Sequence, residues 1–292
     1  MRTFILGLGA QKAGTTWLFQ QLVKSEHFVP GLCKEYHLFD YLYLGSGNEL
    51  RLNASKRINN FKEGDPTLNY DQKIELFDSF YSNPKNYYDY IDRILNESKK
   101  FTSDITPAYA HLELDVLYSI KEEMDCRNIK TKAVFLMREP VCRMESEIRM
   151  ALRRAKSFDK VDAREMSNKM TRLLGGEIPL KSNYSFTVSQ LDEVFPPSDI
   201  FYCFYEELFL PESIRRLAEF FELPTTIFEP DVKINTSPRP FRYPMEHLER
   251  WSKHFEGEYQ FAQSRFNFDV EIWQSALHHN LSLEKRRKWF WI

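Results

Sequence analysis

The stretch Gly9-Ala10-Gln11-Lys12-Ala13-Gly14-Thr15-Thr16 constrains this chain more than any other. The apolar run Thr3 to Leu8 leads into it, and Trp17 to Ser25 follows with Leu18, Leu22 and Val23 at helical spacing. A buried strand, a tight glycine-bearing turn and a helix, in that order, open a parallel α/β sheet. The first amides of a helix that starts at such a turn point into free space, and the helix dipole favours an anion there. The sequence therefore predicts a local anion site before it predicts a reaction.

The rest of the chain fits one domain over residues 1–292. Lys132 to Met137 reads as a second core strand that ends in Arg138-Glu139-Pro140, with a helix from about Val141 to Lys156. Ile200 to Phe204 reads as a further strand after the break at Pro196-Pro197. Helices are expected over 85–96, with Pro84 before the first turn, over 212–221 and over 245–268. Irregular excursions are expected near 40–70 and 150–185, and a loop over 235–244. The fold class is α/β, a P-loop-like central parallel β-sheet flanked by helices.

Composition limits the partners. Forty Lys+Arg face 42 Asp+Glu, a formal charge of −2, so nothing draws the whole chain to nucleic acid. Cys33, Cys126, Cys142 and Cys203 form no CxxC pair and no zinc-spaced cluster, and free thiols are expected. No apolar run reaches the ~20 residues of a membrane span, and no secretory leader is visible, so a soluble cytoplasmic protein is expected.

The turn differs from a nucleotide P-loop in one chemical respect. There the lysine follows the second glycine; here Thr15 does, and Lys12 sits inside the turn. A triphosphate needs magnesium and an acidic residue that helps hold it. Here the second strand ends in Arg138 where such enzymes often place an aspartate. Lys12 and Arg138 without an acidic holder suit an anion handled without metal.

GAQKAGTTWL resembles the 5′-phosphosulfate loop of sulfotransferases that use 3′-phosphoadenosine 5′-phosphosulfate (PAPS). The resemblance extends in order over nearly the whole chain and is nearest to the carbohydrate branch typified by heparan sulfate sulfotransferases. It implies PAPS as donor, 3′,5′-adenosine bisphosphate as product and no metal. It assigns Gln11, Lys12, Ala13, Gly14, Thr15, Thr16 and Trp17 to the 5′ side of the donor. Arg138 and Ser146, eight positions apart, match the 3′-phosphate motif; a guanidinium binds phosphate through parallel hydrogen bonds. Arg239, Arg242 and Tyr243 match a basic loop that closes over the donor, although its glycine is absent here.

The acceptor side carries the resemblance further. In KEYHLFD, Glu35 matches the family's general base, needed because an acceptor hydroxyl must lose its proton as the new bond forms. His37 is the rival base, and Lys34 either keeps the glutamate ionised or touches the donor. Thr106, Pro107 and Tyr109 match a segment that lines the acceptor cleft, but Ile105 stands where relatives have lysine. A positive charge there is then lost, or replaced by Lys34 or His111. Arg149, Arg153, Arg154 and Lys156 suit an anionic acceptor or a merely solvated helix face. The tail Lys285 to Ile292 suits peripheral contact with an anionic membrane, or packing of its aromatics. The implied acceptor is a carbohydrate or other hydroxylated molecule, a small metabolite being the alternative. Two other classes stay open: a non-catalytic nucleotide- or glycan-binding module, and an ATP-dependent phosphotransferase.

Overall fold

The computed structural model describes residues 1–45, 58, 67–177, 179–232, 234 and 240–282. Arg239, the tail from Lys285 and most of the expected excursion after residue 45 lie outside them.

Four parallel strands make the sheet: β1 (Arg2–Gly9), β2 (Phe101–Ile105), β3 (Ile129–Met137) and β4 (Ile200–Phe204), in the order β2-β1-β3-β4. A parallel sheet covered on both faces needs strands that are buried throughout. β1 and β3 meet this with apolar runs. β2 meets it with Thr102, Ser103 and Asp104, all fully buried, which is why no apolar run announced it.

The helices follow in chain order: α1 (Thr15–Leu22), α2 (Leu38–Leu44), α3 (Tyr70–Ser82), α4 (Lys85–Ile94), α5 (Leu114–Asp125) and α6 (Pro140–Arg154). After them come α7 (Ala163–Leu173), α8 (Tyr184–Val194), α9 (Pro211–Phe221), α10 (Met245–His254), α11 (Glu256–Phe266) and α12 (Val270–Leu281). No helix among the described residues is long and apolar enough to cross a membrane.

One sequence expectation needs correction. Residues 150–185 are largely helical rather than irregular: Asp162 caps α7 by accepting from the Glu165 amide, and Met166 and Met170 enter the core. Residues 245–268 are helical as expected, divided into α10 and α11 where the chain turns at the fully buried Phe255.

The strand order fixes the site. From β1 the chain runs to β2 on one side and then to β3 on the other, so a crevice opens between the C-terminal ends of β1 and β3. Ligands of open α/β sheets sit at such a switch point. The Ala10 amide donates to the Leu136 carbonyl at 2.6 Å, locking the turn after β1 to the end of β3.

A buried carboxylate organises the β2 side. Asp104 accepts from Thr106 Oγ1 at 2.6 Å, Tyr109 OH at 2.8 Å, Tyr87 OH at 3.2 Å and the Tyr36 amide at 3.2 Å. Burial pushes its pKa up to about 6, against the downward pull of these hydrogen bonds. Asp104→Ala leaves several buried donors without an acceptor and should cost about 3 kcal/mol or more, read as a lower midpoint in urea. Because the folded carboxyl is raised above its unfolded value, its contribution to stability falls as pH rises from about 4 to 6. The stability gap between wild type and Asp104→Asn should therefore narrow over that window.

Candidate functional site

The turn after β1 is built for close approach. Gly14 has φ 96°, and a Cβ there would lie 2.8 Å from Leu208 Cδ2. Gly14 is also the residue before α1; it offers no side-chain cap, and the first turn of α1 has no acidic residue. Its leading amides are left to an outside acceptor. Lys12 projects from the turn with φ 73°. Burial first, then the charges of Arg138, Arg153, Arg149 and Arg154, push the Lys12 ammonium down to about 8.

Arg138 ends β3 and faces the turn. Its Nη1 donates to the Lys12 carbonyl at 2.8 Å, and its guanidinium lies 4.6 Å from the Tyr205 ring centroid. Its Nε is buried and has no hydrogen-bond partner among the described residues. A buried guanidinium with an idle donor, beside a lysine with a depressed pKa, fits a bound phosphate or sulfate.

These groups border a cleft of about 810 Å³. Of the residues expected at the donor, Gln11, Lys12, Gly14, Thr15, Thr16, Trp17, Arg138 and Ser146 line it. Ala13 is fully buried. Arg242 and Tyr243 do not line the cleft: Arg242 Nη1 donates to the Phe241 carbonyl, and the Tyr243 amide pairs with the Leu281 carbonyl. Arg149, expected on the acceptor side, lines this same cleft and pairs with Glu145 at 2.7 Å.

Tyr205, Glu206 and Phe209 line the cleft without having been singled out in the sequence, and Arg154, expected on the acceptor side, lines it too. The first three follow the end of β4, so the switch-point rule was the available signal. Phe209 packs edge-on against Trp17, centroids 5.2 Å apart, giving an aromatic wall. Burial raises the Glu206 carboxyl to about 7, partly offset by Arg138.

The acceptor-side residues converge on the same cleft. Glu35 lines it, and Lys34 Nζ bonds Glu35 Oε1 at 2.7 Å. The same ammonium lies 3.5 Å from Thr15 Oγ1 and 3.1 Å from the Ile105 carbonyl. Lys34 thus puts its charge against the position where Ile105 brings none. His37 Nε2 is 3.4 Å from Glu35 Oε2, and its Nδ1 is 2.8 Å from buried Asp40. Burial raises the Glu35 pKa, but Lys34 and His37 outweigh it and hold the carboxyl below the usual range.

Pro107 lines the cleft and His111 an adjoining cavity, at opposite ends of the 3₁₀ turn Pro107–His111. Thr106 and Tyr109 are fully buried and serve the Asp104 network. The Arg153 guanidinium lies 5.5 Å from the Phe158 ring centroid. Among the described residues no cluster of His, Cys, Asp or Glu could hold a metal ion.

Fold and cleft together define an α/β protein with a cation-bearing turn at the sheet's switch point and a carboxylate in the same cleft. The family model "Sulfotransferase domain" matches residues 2–256, and the chain belongs to that family. Among solved structures, a sulfotransferase from Alicyclobacillus acidocaldarius superposes with TM-score 0.57 at 17% identity, covering 94% of this chain and 99% of that one. This likeness supports the fold. The sulfotransferase domain from the curacin biosynthetic pathway gives TM-score 0.44 at 17% identity, covering 82% of this chain and 81% of that one. The sulfotransferase domain of the Synechococcus PCC 7002 olefin synthase gives 0.46 at 12%, covering 92% and 94%. No curated protein matches.

The depressed Lys12 pKa has a measurable consequence. Its charge is present below about pH 8 and fades above it. Affinity for 3′,5′-adenosine bisphosphate, whose phosphates are fully ionised above about pH 7, should fall above pH 8, by at most about tenfold per unit. Calorimetry in two buffers should show proton uptake on binding near pH 8–9, and Lys12→Met should abolish it.

Proposed function

We propose that this sulfotransferase moves the sulfuryl group from PAPS to a hydroxyl or amine of its acceptor, by metal-free in-line displacement with Glu35 as general base. One observation carries the reading: the Lys34 ammonium bonds Glu35 and also reaches Thr15 of the anion-binding turn. Base and donor turn are thereby held in one unit.

PAPS supplies an activated sulfuryl group, whose bond to the 5′-phosphate oxygen breaks, leaving the electron pair there, as the acceptor oxygen bonds sulfur. Lys12 and the amides from Gly14 to Thr16 hold the 5′-phosphate and stabilise the charge it gains. Arg138 and Ser146 hold the 3′-phosphate and favour PAPS over ATP. The idle Arg138 Nε supports this role. Glu35 takes the acceptor proton. Kept ionised by Lys34 and His37, it is ready to accept at any pH near neutral, and positioning does the rest. His37 is the weaker candidate base, since its two nitrogens face Glu35 and Asp40. Its place suits steadying Glu35 as charge shifts.

The resemblance to the carbohydrate branch would make the acceptor a glycan hydroxyl. The walls of the adjoining cavity argue for a different class, treated below. The position of Lys34 against Ile105 weakens the case for a binding module that lost turnover.

Calorimetry with 3′,5′-adenosine bisphosphate tests the donor. Binding without magnesium that is lost in Arg138→Ala supports the reading; binding of ATP only, and only with magnesium, overturns it. Glu35→Gln should lower kcat at least about 100-fold while bisphosphate affinity changes less than about threefold. Wild-type turnover in that variant would exclude Glu35 as base.

A further inference from the structure

A second cavity, of about 710 Å³, adjoins the donor cleft across α6. At 3.6 residues per turn, Ser146, Arg149 and Met150 face the cleft, while Met144, Ile148 and Leu152 face the cavity. Two further walls are shared. The 3₁₀ turn places Pro107 in the cleft and His111 in the cavity, about 8 Å apart at ~2 Å per residue. Lys181 of the cavity bonds Gln11 of the cleft at 3.3 Å. A molecule in the cavity therefore ends about one 3₁₀ turn from the side of the cleft that holds Glu35.

The lining is mainly aliphatic. Ala151, Ala155 and Pro179 complete a wall already made by Met144, Ile148 and Leu152. Leu173 and Leu180 border it while 52% and 61% exposed, two of the most exposed large apolar side chains among the described residues. Several of the polar groups are engaged: Glu147 pairs with Arg143 at 2.9 Å and with Lys181, Arg143 Nε donates to Ser182 Oγ at 2.7 Å, and Lys169 pairs with Glu165 at 3.3 Å. Arg172 lies exposed at the border. His111 Nε2 and Arg143 Nη2 are buried and have no partner among the described residues.

Size and chemistry fit a small molecule with an apolar body and at most one or two further polar groups. A sugar ring would bring hydroxyls all around its rim, several of them against the aliphatic wall of Met144, Ile148, Ala151 and Leu152, and each buried unpaired hydroxyl weakens binding.

We infer that the acceptor is an alcohol or amine with an apolar body, seated between α6 and α7 with its reacting group directed past Gln11 toward Glu35, and not a glycan. This rests on the transferase reading above and names its substrate class. The cavity supplies affinity through apolar contact, and His111 Nε2 can meet one further polar group on the ligand.

The test uses n-alkanols from butanol to dodecanol, with glucose and a disaccharide alongside, labelled PAPS and the whole chain. The kcat/KM should rise about three- to fourfold per methylene until the cavity is filled, the gain for a buried CH₂. The sugars should lie at least about tenfold below the best alkanol, a margin of a few buried methylenes. Ala151→Trp, at an exposed wall position, and Leu173→Lys, at the border, should each lower alkanol kcat/KM at least about tenfold with bisphosphate affinity unchanged. Sugars turned over in preference to every alkanol, or both variants behaving as wild type, would overturn the inference and leave the transferase reading intact. If the bisphosphate does not bind wild type, the transferase reading falls instead. Ligand-detected NMR of decanol then decides the cavity by itself: binding lost in Ala151→Trp supports it, and no binding overturns it.

Discussion

The guanidinium of Arg138 holds the Lys12 carbonyl at 2.8 Å, and the donor side of the molecule depends on that bond. The turn after β1 buries Lys12 near Arg138, Arg153, Arg149 and Arg154, and burial first, then these charges, lower its pKa to about 8. Such a turn needs an anchor to stay in place without an anion. Arg138 provides it through a backbone oxygen and keeps Nε in reserve. The anchor works because β1 and β3 are neighbours in a parallel sheet, so that their ends reach the same edge. Favourable packing of the sheet thus offsets an unfavourable charge arrangement, and that arrangement is what makes an incoming anion bind.

The acceptor side uses the opposite device. Asp104 is a buried negative group surrounded by donors, and through Thr106, Tyr109 and the Tyr36 amide it fixes the segment that carries Glu35 and His37. The Tyr109 hydroxyl also accepts from the Leu38 amide at 3.1 Å, at the start of α2. Donor turn and base are therefore set by separate networks, joined by Lys34. A change at Asp104 would move the base relative to the donor while leaving the grip on the donor largely intact.

The turn after β1 was legible in the sequence because its signal is local: two glycines, a lysine and a helix onset lie within eight residues. The strand end at Arg138 and the helix that carries Ser146 to the same cleft were legible for the same reason. β2 was not read as a strand, because its burial is matched by hydrogen bonds rather than by apolar side chains. Thr106 and Tyr109 looked like cleft residues, yet their side chains turn inward to Asp104. Tyr205 and Phe209 escaped because nothing in their local sequence marks them; only the β3–β4 pairing brings them to the cleft. Arg149 could be placed on a charged helix face, but which neighbour that face meets depends on tertiary packing.

One helix, α6, separates the two chambers, and the division has a chemical logic. Its cleft-side positions carry Ser146 and Arg149, polar groups whose bonding is directional, whereas its cavity-side positions carry Met144, Ile148 and Leu152, constrained only by shape. Apolar walls tolerate volume-conserving exchange at little cost, while an arginine opposite a phosphate does not tolerate even lysine without loss of its paired hydrogen bonds. On the proposed reading, substitutions on one face of α6 change the acceptor without disturbing the donor, one turn of the same helix away. A local motif in the sequence points to the donor chemistry, whereas the second chamber is shaped by the sizes of side chains that meet only when the chain is folded.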